Sequence, residues 1–202
     1  MIQNVLLVFL ISYFIGAIQF AFIFTKLLAK KNPGKEGSGN YGALNSYEIT
    51  GKKTIGLLVF IFDCLKGFLA VYLVYKFVYP RSLYIIISAI SVVLGHSFNI
   101  FLKFRGGRGL AASLGAVLFF NPFLALIWCI VWFLFYQIVK KDVIFSNMWS
   151  LLITPTIVIF APAYIIYLFN YNINVSVTDY KIFSIIICVI ILASHFKKSI
   201  SQ

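Results

Sequence analysis

Acidic side chains are almost missing from this chain. Five Asp and Glu stand against seventeen Lys and Arg in 202 residues, and charged residues make up only 11%. A soluble domain carries about 25% charged residues, so a water-soluble globular fold is excluded. Cysteine is equally scarce: Cys64, Cys129 and Cys188 each lie inside an apolar run with no metal-ligand spacing. That excludes a zinc cluster and argues against a disulfide framework, leaving buried thiols. Histidine occurs twice, and no Ser-His-Asp or Cys-His arrangement is spaced for a nucleophile. Internal repeats and low-complexity segments are absent. The first apolar run has no basic stretch before it and no small-residue cleavage site, so it reads as a retained span rather than a signal peptide.

What remains is 62% hydrophobic, with a mean hydropathy of +1.00. This composition predicts an all-α integral membrane protein forming one domain over residues 1–202. Seven apolar stretches are visible, at 4–25, 54–79, 82–100, 108–120, 123–139, 149–169 and 181–195. They predict about seven transmembrane helices, some of them short. The fourth is separated from the fifth by Asn121-Pro122, and a helix that short is tolerable in a bilayer only where protein covers its ends.

The net charge of +12 would suggest nucleic acid in a soluble chain; here it follows topology. With the N-terminus outside and seven crossings, thirteen cations fall inside: Lys26, Lys30, Lys31, Lys35, Lys52, Lys53, Lys103, Arg105, Arg108, Lys140, Lys141, Lys197 and Lys198. Lys76, Arg81 and Lys181 fall outside or near it, and Lys66 lies within a span. The outer loop Asn170–Tyr180 holds no Lys or Arg. The positive-inside rule then favours N-out, C-in, and the charge serves orientation and attraction to anionic lipid, with no nucleic-acid partner.

Two glycine-rich segments fall on the inner side. One is "GKEGSGNYGALNSYE", Gly34–Glu48; the other is "RGGRG", Arg105–Gly109. Each leads into a hydrophobic helix. Glycines let backbone N–H groups converge on an anion, a helix N-terminus adds partial positive charge, and arginine adds paired donors. Phosphate is the natural guest, although such loops also serve simply as turns. In "FDCLKG", Asp63 and Lys66 stand at i, i+3 within an apolar span. Each charge near the bilayer centre costs roughly 2.5–3.5 kcal/mol on insertion scales, which leaves an ion pair or a functional site as readings. His96 ends the third span beside the arginine loop.

Together these residues carry a resemblance. Ser38-Gly39-Asn40-x-Gly42-Ala43-x-Asn45, Asp63-x-x-Lys66-Gly67, Gly95-His96-x-Phe98, Phe104-Arg105-Gly106-Gly107-Arg108-Gly109 and a terminal His195 resemble, in order and over nearly the whole chain, the membrane acyl-phosphate:glycerol-3-phosphate acyltransferases, the PlsY family. The resemblance implies seven helices, N-out and C-in, in the cell membrane, with the signature motifs facing the cytoplasm. It implies transfer of a fatty acyl group from acyl phosphate to glycerol 3-phosphate, giving lysophosphatidate for phospholipid synthesis, with no metal and no cofactor. It implies that Lys66 and the loop of Arg105, Gly106, Gly107, Arg108 and Gly109 bind phosphate. Ser38, Gly39, Asn40, Gly42 and Asn45 would form the acceptor loop, and Asp63 would hold Lys66. His96 and His195 would orient groups or carry protons, and a substrate phosphate would help remove the acceptor's hydroxyl proton.

The chain departs from the family pattern at several positions. Gln19 replaces a proline, Leu44 a threonine, Arg108 a lysine, Ala112 a threonine and Lys198 an asparagine, and only Ser146 and Ser150 echo the serine-rich third motif. Glu48 replaces an arginine and stands four residues before Lys52, as a helical surface pair would. A changed acceptor or a non-catalytic scaffold are the alternatives these departures open. A transporter of a phosphorylated solute would also want cations, but it would need polar groups in both leaflets.

Overall fold

The computed structural model describes residues 2–78, 81–139, 141–170 and 175–199, with side chains to His195. Lys140 and positions 171–174 of the loop expected outside lie outside the described residues, as do the side chains of Lys197 and Lys198. Among the described residues, ten α-helices follow in order. They are α1 (Ile2–Ala17), α2 (Phe20–Ala29), α3 (Ala43–Thr50), α4 (Lys53–Phe77), α5 (Ser82–Ser97), α6 (Leu110–Phe120), α7 (Phe123–Leu134), α8 (Val143–Phe160), α9 (Ala163–Leu168) and α10 (Val177–Ser199). A π-helical turn, Phe135–Val139, continues α7. Among the described residues, five helices or helix pairs are long and apolar enough to cross a membrane, and Leu110–Phe120 and Phe123–Val139 are shorter apolar ones.

Three spans differ from the sequence expectation. The first span is not continuous: it breaks at Ile18-Gln19 between α1 and α2. The sixth begins at Val143 rather than 149, because the Asp142 carboxylate accepts from Phe145 N at 2.8 Å and caps the helix ahead of the long apolar run. It then breaks at Ala161-Pro162, since proline cannot donate to the helix that precedes it. The last helix extends past the apolar run at both ends.

Two helix pairs are fastened by glycine. Between α1 and α5, Gly16 lies against the Val92 backbone and Gly95 against the Tyr13 backbone. The Ser12 and Ser88 hydroxyls bond beside them at 2.8 Å. Between α4 and α6, Gly67 meets the Ala112 backbone and Gly115 meets the Cys64 backbone. A side chain at any of these four positions would collide with the facing main chain. Small residues permit this close approach where lipid offers no hydrophobic drive for association. Large apolar side chains such as Leu6, Leu10 and Phe14 remain exposed on the outer face of α1, as lipid contact requires.

The α6–α7 turn is held by polar groups rather than by length. Asn121 donates to the Ile166 carbonyl at 2.9 Å and accepts from Phe123 N at 3.0 Å. The Tyr180 hydroxyl accepts from Leu124 N at 2.7 Å. These bonds cover the ends of two short helices, the condition a bilayer imposes. Because α6 has only eleven residues, it is about 16 Å long, and the arginine loop at its start is drawn into the bundle.

Candidate active site

The break in the first span organises the site. Three consecutive residues there each hold a different element. The Ala17 carbonyl accepts from Asn99 Nδ2 at 2.5 Å, and the Ile18 carbonyl accepts from Lys66 Nζ at 2.6 Å. Gln19 Nε2 donates to the His96 carbonyl at 2.8 Å. Carbonyls released from a helix inside a membrane must find donors, and here the donors come from α4 and from the segment after α5. The His96 carbonyl also accepts from Gly107 N at 3.1 Å, so the same oxygen ties the arginine loop to the break.

Lys66 is 3% exposed and pairs with Asp63 at 2.7 Å; His96 Nδ1 lies 3.5 Å from the same carboxylate oxygen. Asp63 stands ten residues into α4, about 15 Å from its start. Charges this deep persist when paired and hydrogen-bonded. The triad therefore joins α4, α5 and the α1–α2 break.

The two glycine-rich segments meet. A side chain at Gly107 would strike the His96 ring and the Tyr41 carbonyl, and one at Gly106 would strike the His96 and Ser97 carbonyls. Gly109 takes a φ of +90° at the N-terminus of α6, a conformation glycine adopts freely. Burial pushes the Tyr41 phenol above its usual range, and the nearby Arg105 opposes that shift. Burial lowers the Arg108 guanidinium, while the Glu48 carboxylate favours its charge.

Asn45 is the post of the first segment. Its amide donates to the carbonyls of Pro33, Glu36 and Asn40, and its oxygen accepts from Ser38 N at 2.9 Å. It is 1% exposed. It shapes the loop that presents Ser38, Gly39 and Asn40.

A cavity of about 330 Å³ opens at this junction. Its polar end is lined by Asn40, Gly42, Asp63, His96, Arg108 and Gly109. It continues between α6, α7, α8 and α10 as an apolar arm past Leu114, Val117, Leu124, Leu151 and Ile187. A charged head and an alkyl tail both find matching surroundings in this one space.

Six of the sequence-predicted residues thus line one cavity, and Gly106 and Gly107 pack under it. Lys66 is turned to Asp63 and Ile18 and is not among the lining residues. Arg105 is exposed beside Tyr41. His195 bonds the Ile191 carbonyl within α10, while its neighbour Ser194 donates to the Arg108 carbonyl at 3.1 Å. Glu48 does not share a helix with Lys52: α3 ends at Thr50, and Gly51 closes it with a φ of +67°. Gln19 and Asn99 were missed as site residues. Each is a buried amide bordering a span, and an amide there needs a partner, the signal that could have found them.

The chain matches the family described as glycerol-3-phosphate acyltransferase over residues 6–201. A glycerol-3-phosphate acyltransferase of Pelagibacter ubique is 40% identical over 190 residues, covering 94% of this chain and 89% of that protein. One of Wolbachia pipientis wMel is 39% identical over 151 residues, covering 75% and 76%. The crystal structure of PlsY, an integral membrane glycerol 3-phosphate acyltransferase, in its glycerol 3-phosphate form aligns with a TM-score of 0.75 at 27% identity, over 96% of this chain and 88% of that one. The lysophosphatidic acid form of PlsY aligns with a TM-score of 0.72 at 28% identity, over 95% and 87%. This chain, a multi-helix membrane protein with a polar-headed, apolar-tailed cavity, belongs to the glycerol-3-phosphate acyltransferase family.

Proposed function

We propose that the protein acylates glycerol 3-phosphate to lysophosphatidate for phospholipid synthesis, using acyl phosphate as donor. The observation that carries this reading is the single cavity whose end at Asn40, Asp63, His96 and Arg108 runs into an apolar arm. The acyl chain occupies the arm and its mixed-anhydride head lies against the α6 N-terminus. The acceptor's phosphate is held by Arg108 and the Arg105–Gly109 loop, and Ser38, Gly39, Asn40 and Gly42 orient its glycerol. The α6 N-terminal N–H groups and the guanidinium favour developing negative charge.

In the transfer, the acceptor's primary hydroxyl oxygen attacks the acyl carbonyl carbon. The bond from that carbon to the phosphate oxygen breaks, inorganic phosphate leaves with the electron pair, and the hydroxyl proton passes to a phosphate oxygen. Acyl phosphate is already activated, so positioning and charge stabilisation suffice. Asp63 and Lys66 hold His96 and the helix break in register; His195 steadies the end of α10 beside Arg108. The site faces the cytoplasm of the cell membrane, with the N-terminus outside and the C-terminus inside, an assignment supported by the charge asymmetry.

Purified protein given hexadecanoyl phosphate and glycerol 3-phosphate should yield lysophosphatidate and inorganic phosphate in equal amounts. Transfer from an acyl thioester but not from acyl phosphate would overturn the donor. Failure to acylate any phosphorylated alcohol, with hydrolysis only, would overturn the acceptor.

A further inference from the structure

The cavity is not sealed on all sides. Among the side chains that line it, Leu44 is 43% exposed, Phe60 is 41% exposed and Cys129 is exposed as well. Phe60 belongs to α4 and Cys129 to α7. Ala111 and Leu114 of α6 also line the cavity and are only half-buried. Leu118, on the same helix face one turn further along, is exposed. One stripe of α6 is therefore covered neither by α4 nor by α7, and the cavity opens sideways along it.

The surface around this opening is apolar. Leu57 and Ile61 are exposed beside Phe60, as are Leu126, Ile130 and Phe133 around Cys129. Phe60 stands seven residues into α4, a helix long and apolar enough to cross a membrane, and so about 10 Å from its start. The opening gives onto hydrocarbon rather than water. The other two ends of the cavity suit an alkyl chain poorly. At the far end of the arm, Leu124 N donates to the Tyr180 hydroxyl, and Tyr180, Phe120 and Phe183 are fully buried and pack ring against ring. At the near end, a chain passing Arg108, Asp63 and His96 would strip polar groups of water and put its own methylenes into water, both unfavourable.

We infer that this opening is a lateral portal for single-chain amphiphiles, with Phe60 and Cys129 as its two posts. The acyl phosphate enters from the bilayer between α4 and α7, and the lysophosphatidate returns to the bilayer the same way. The inference rests on the acyl-transfer reading above and adds the route of its lipid substrate and product. The tail slides from lipid into the arm along the open stripe of α6 without crossing water, while the phosphate head moves at the Arg108 end. Glycerol 3-phosphate has no apolar part and reaches the polar end from water.

The test uses the native Cys129 thiol in proteoliposomes. A pyrene maleimide dissolved in the bilayer should modify Cys129, as read by peptide mass spectrometry. Hexadecyl phosphate, an unreactive amphiphile, at about ten times its calorimetric dissociation constant should slow that labelling about tenfold, while glycerol 3-phosphate at the same saturation should change it by less than about twofold. The labelled protein should lose about tenfold in kcat/KM for hexadecanoyl phosphate but less than about twofold for butanoyl phosphate, whose short chain reaches the polar end through water. Cys129→Ala, treated in the same way, measures the effect of modification elsewhere. Phe60→Trp narrows the opposite post without a reagent and should separate the two donors in the same sense, so the test holds even where the labelled protein is unstable. Equal losses for both donors in the labelled protein and in Phe60→Trp would mean that the site itself is disturbed, and would overturn the inference. Labelling that hexadecyl phosphate does not slow, or that glycerol 3-phosphate slows equally, would overturn it too. If no donor is turned over, the acyl-transfer reading fails, while the protection of Cys129 still decides the portal.

Discussion

Lys66 reaches back from α4 to the Ile18 carbonyl at 2.6 Å, so a buried cation closes a break in another transmembrane helix. The same ammonium pairs with Asp63, which in turn faces His96. The ion pair therefore fixes the geometry of three helical elements at once.

Removing the cation alone should be severe. Lys66→Met leaves the Asp63 carboxylate buried without its partner and Ile18 without its donor, a loss of about 3–5 kcal/mol. The double variant Lys66→Met with Asp63→Asn should recover at least half of that in thermal unfolding of the detergent-solubilised protein. Additive losses would mean that the two residues act independently.

Gln19 should act on turnover more than on binding. Gln19→Ala removes the donor that shares the His96 carbonyl with Gly107, loosening the loop to which phosphate binding is assigned under the proposed function. A fall in kcat of about tenfold, from roughly one buried hydrogen bond in a positioned site, with KM little changed, is expected in steady-state kinetics. An effect on KM alone would place Gln19 in substrate contact instead.

The two arginines of the loop should not be equal. Arg108 lines the cavity, and Arg105 is exposed beside Tyr41. Arg108→Ala should lower kcat/KM about tenfold to a hundredfold, the range of a charge-assisted hydrogen bond. Arg105→Ala should do less, and Arg81→Ala least. Equal small effects from all three would reduce the loop to a turn.

Glu48 acts electrostatically on Arg108, so under the proposed assignment its carboxylate would compete with substrate phosphate for that guanidinium. Glu48→Arg should lower the KM for glycerol 3-phosphate while leaving the thermal midpoint in place. A loss of native activity with a gain for neutral alcohols would instead identify Glu48 as a recognition residue for a different acceptor.

Ser38→Cys should resist a membrane-impermeant thiol reagent added to intact cells and react in inverted vesicles, whereas Arg81→Cys should behave the other way. The opposite pattern would reverse the orientation and the side of the site.

Composition and hydropathy alone determined that the chain is an all-helical membrane protein with about seven apolar segments, because a bilayer demands long apolar helices whatever their packing. The glycine motifs and their cations pointed to a phosphate site for an equally local reason: converging N–H groups need residues without side chains. Tertiary structure decided the partners. Nothing local marks a helix break at Ile18-Gln19, which contains no proline or glycine; the break exists because Asn99 and Lys66, 82 and 48 residues away, supply donors for the freed carbonyls. Lys66 and Asn45 read as phosphate or acceptor ligands in the sequence; in the structure Lys66 bonds Ile18 and Asp63 and Asn45 bonds the loop that carries Ser38, partners that only the tertiary structure brings near. The cavity, with Arg108 at its polar end and Leu151 along its arm, is lined from seven helices that no single segment of sequence could bring together.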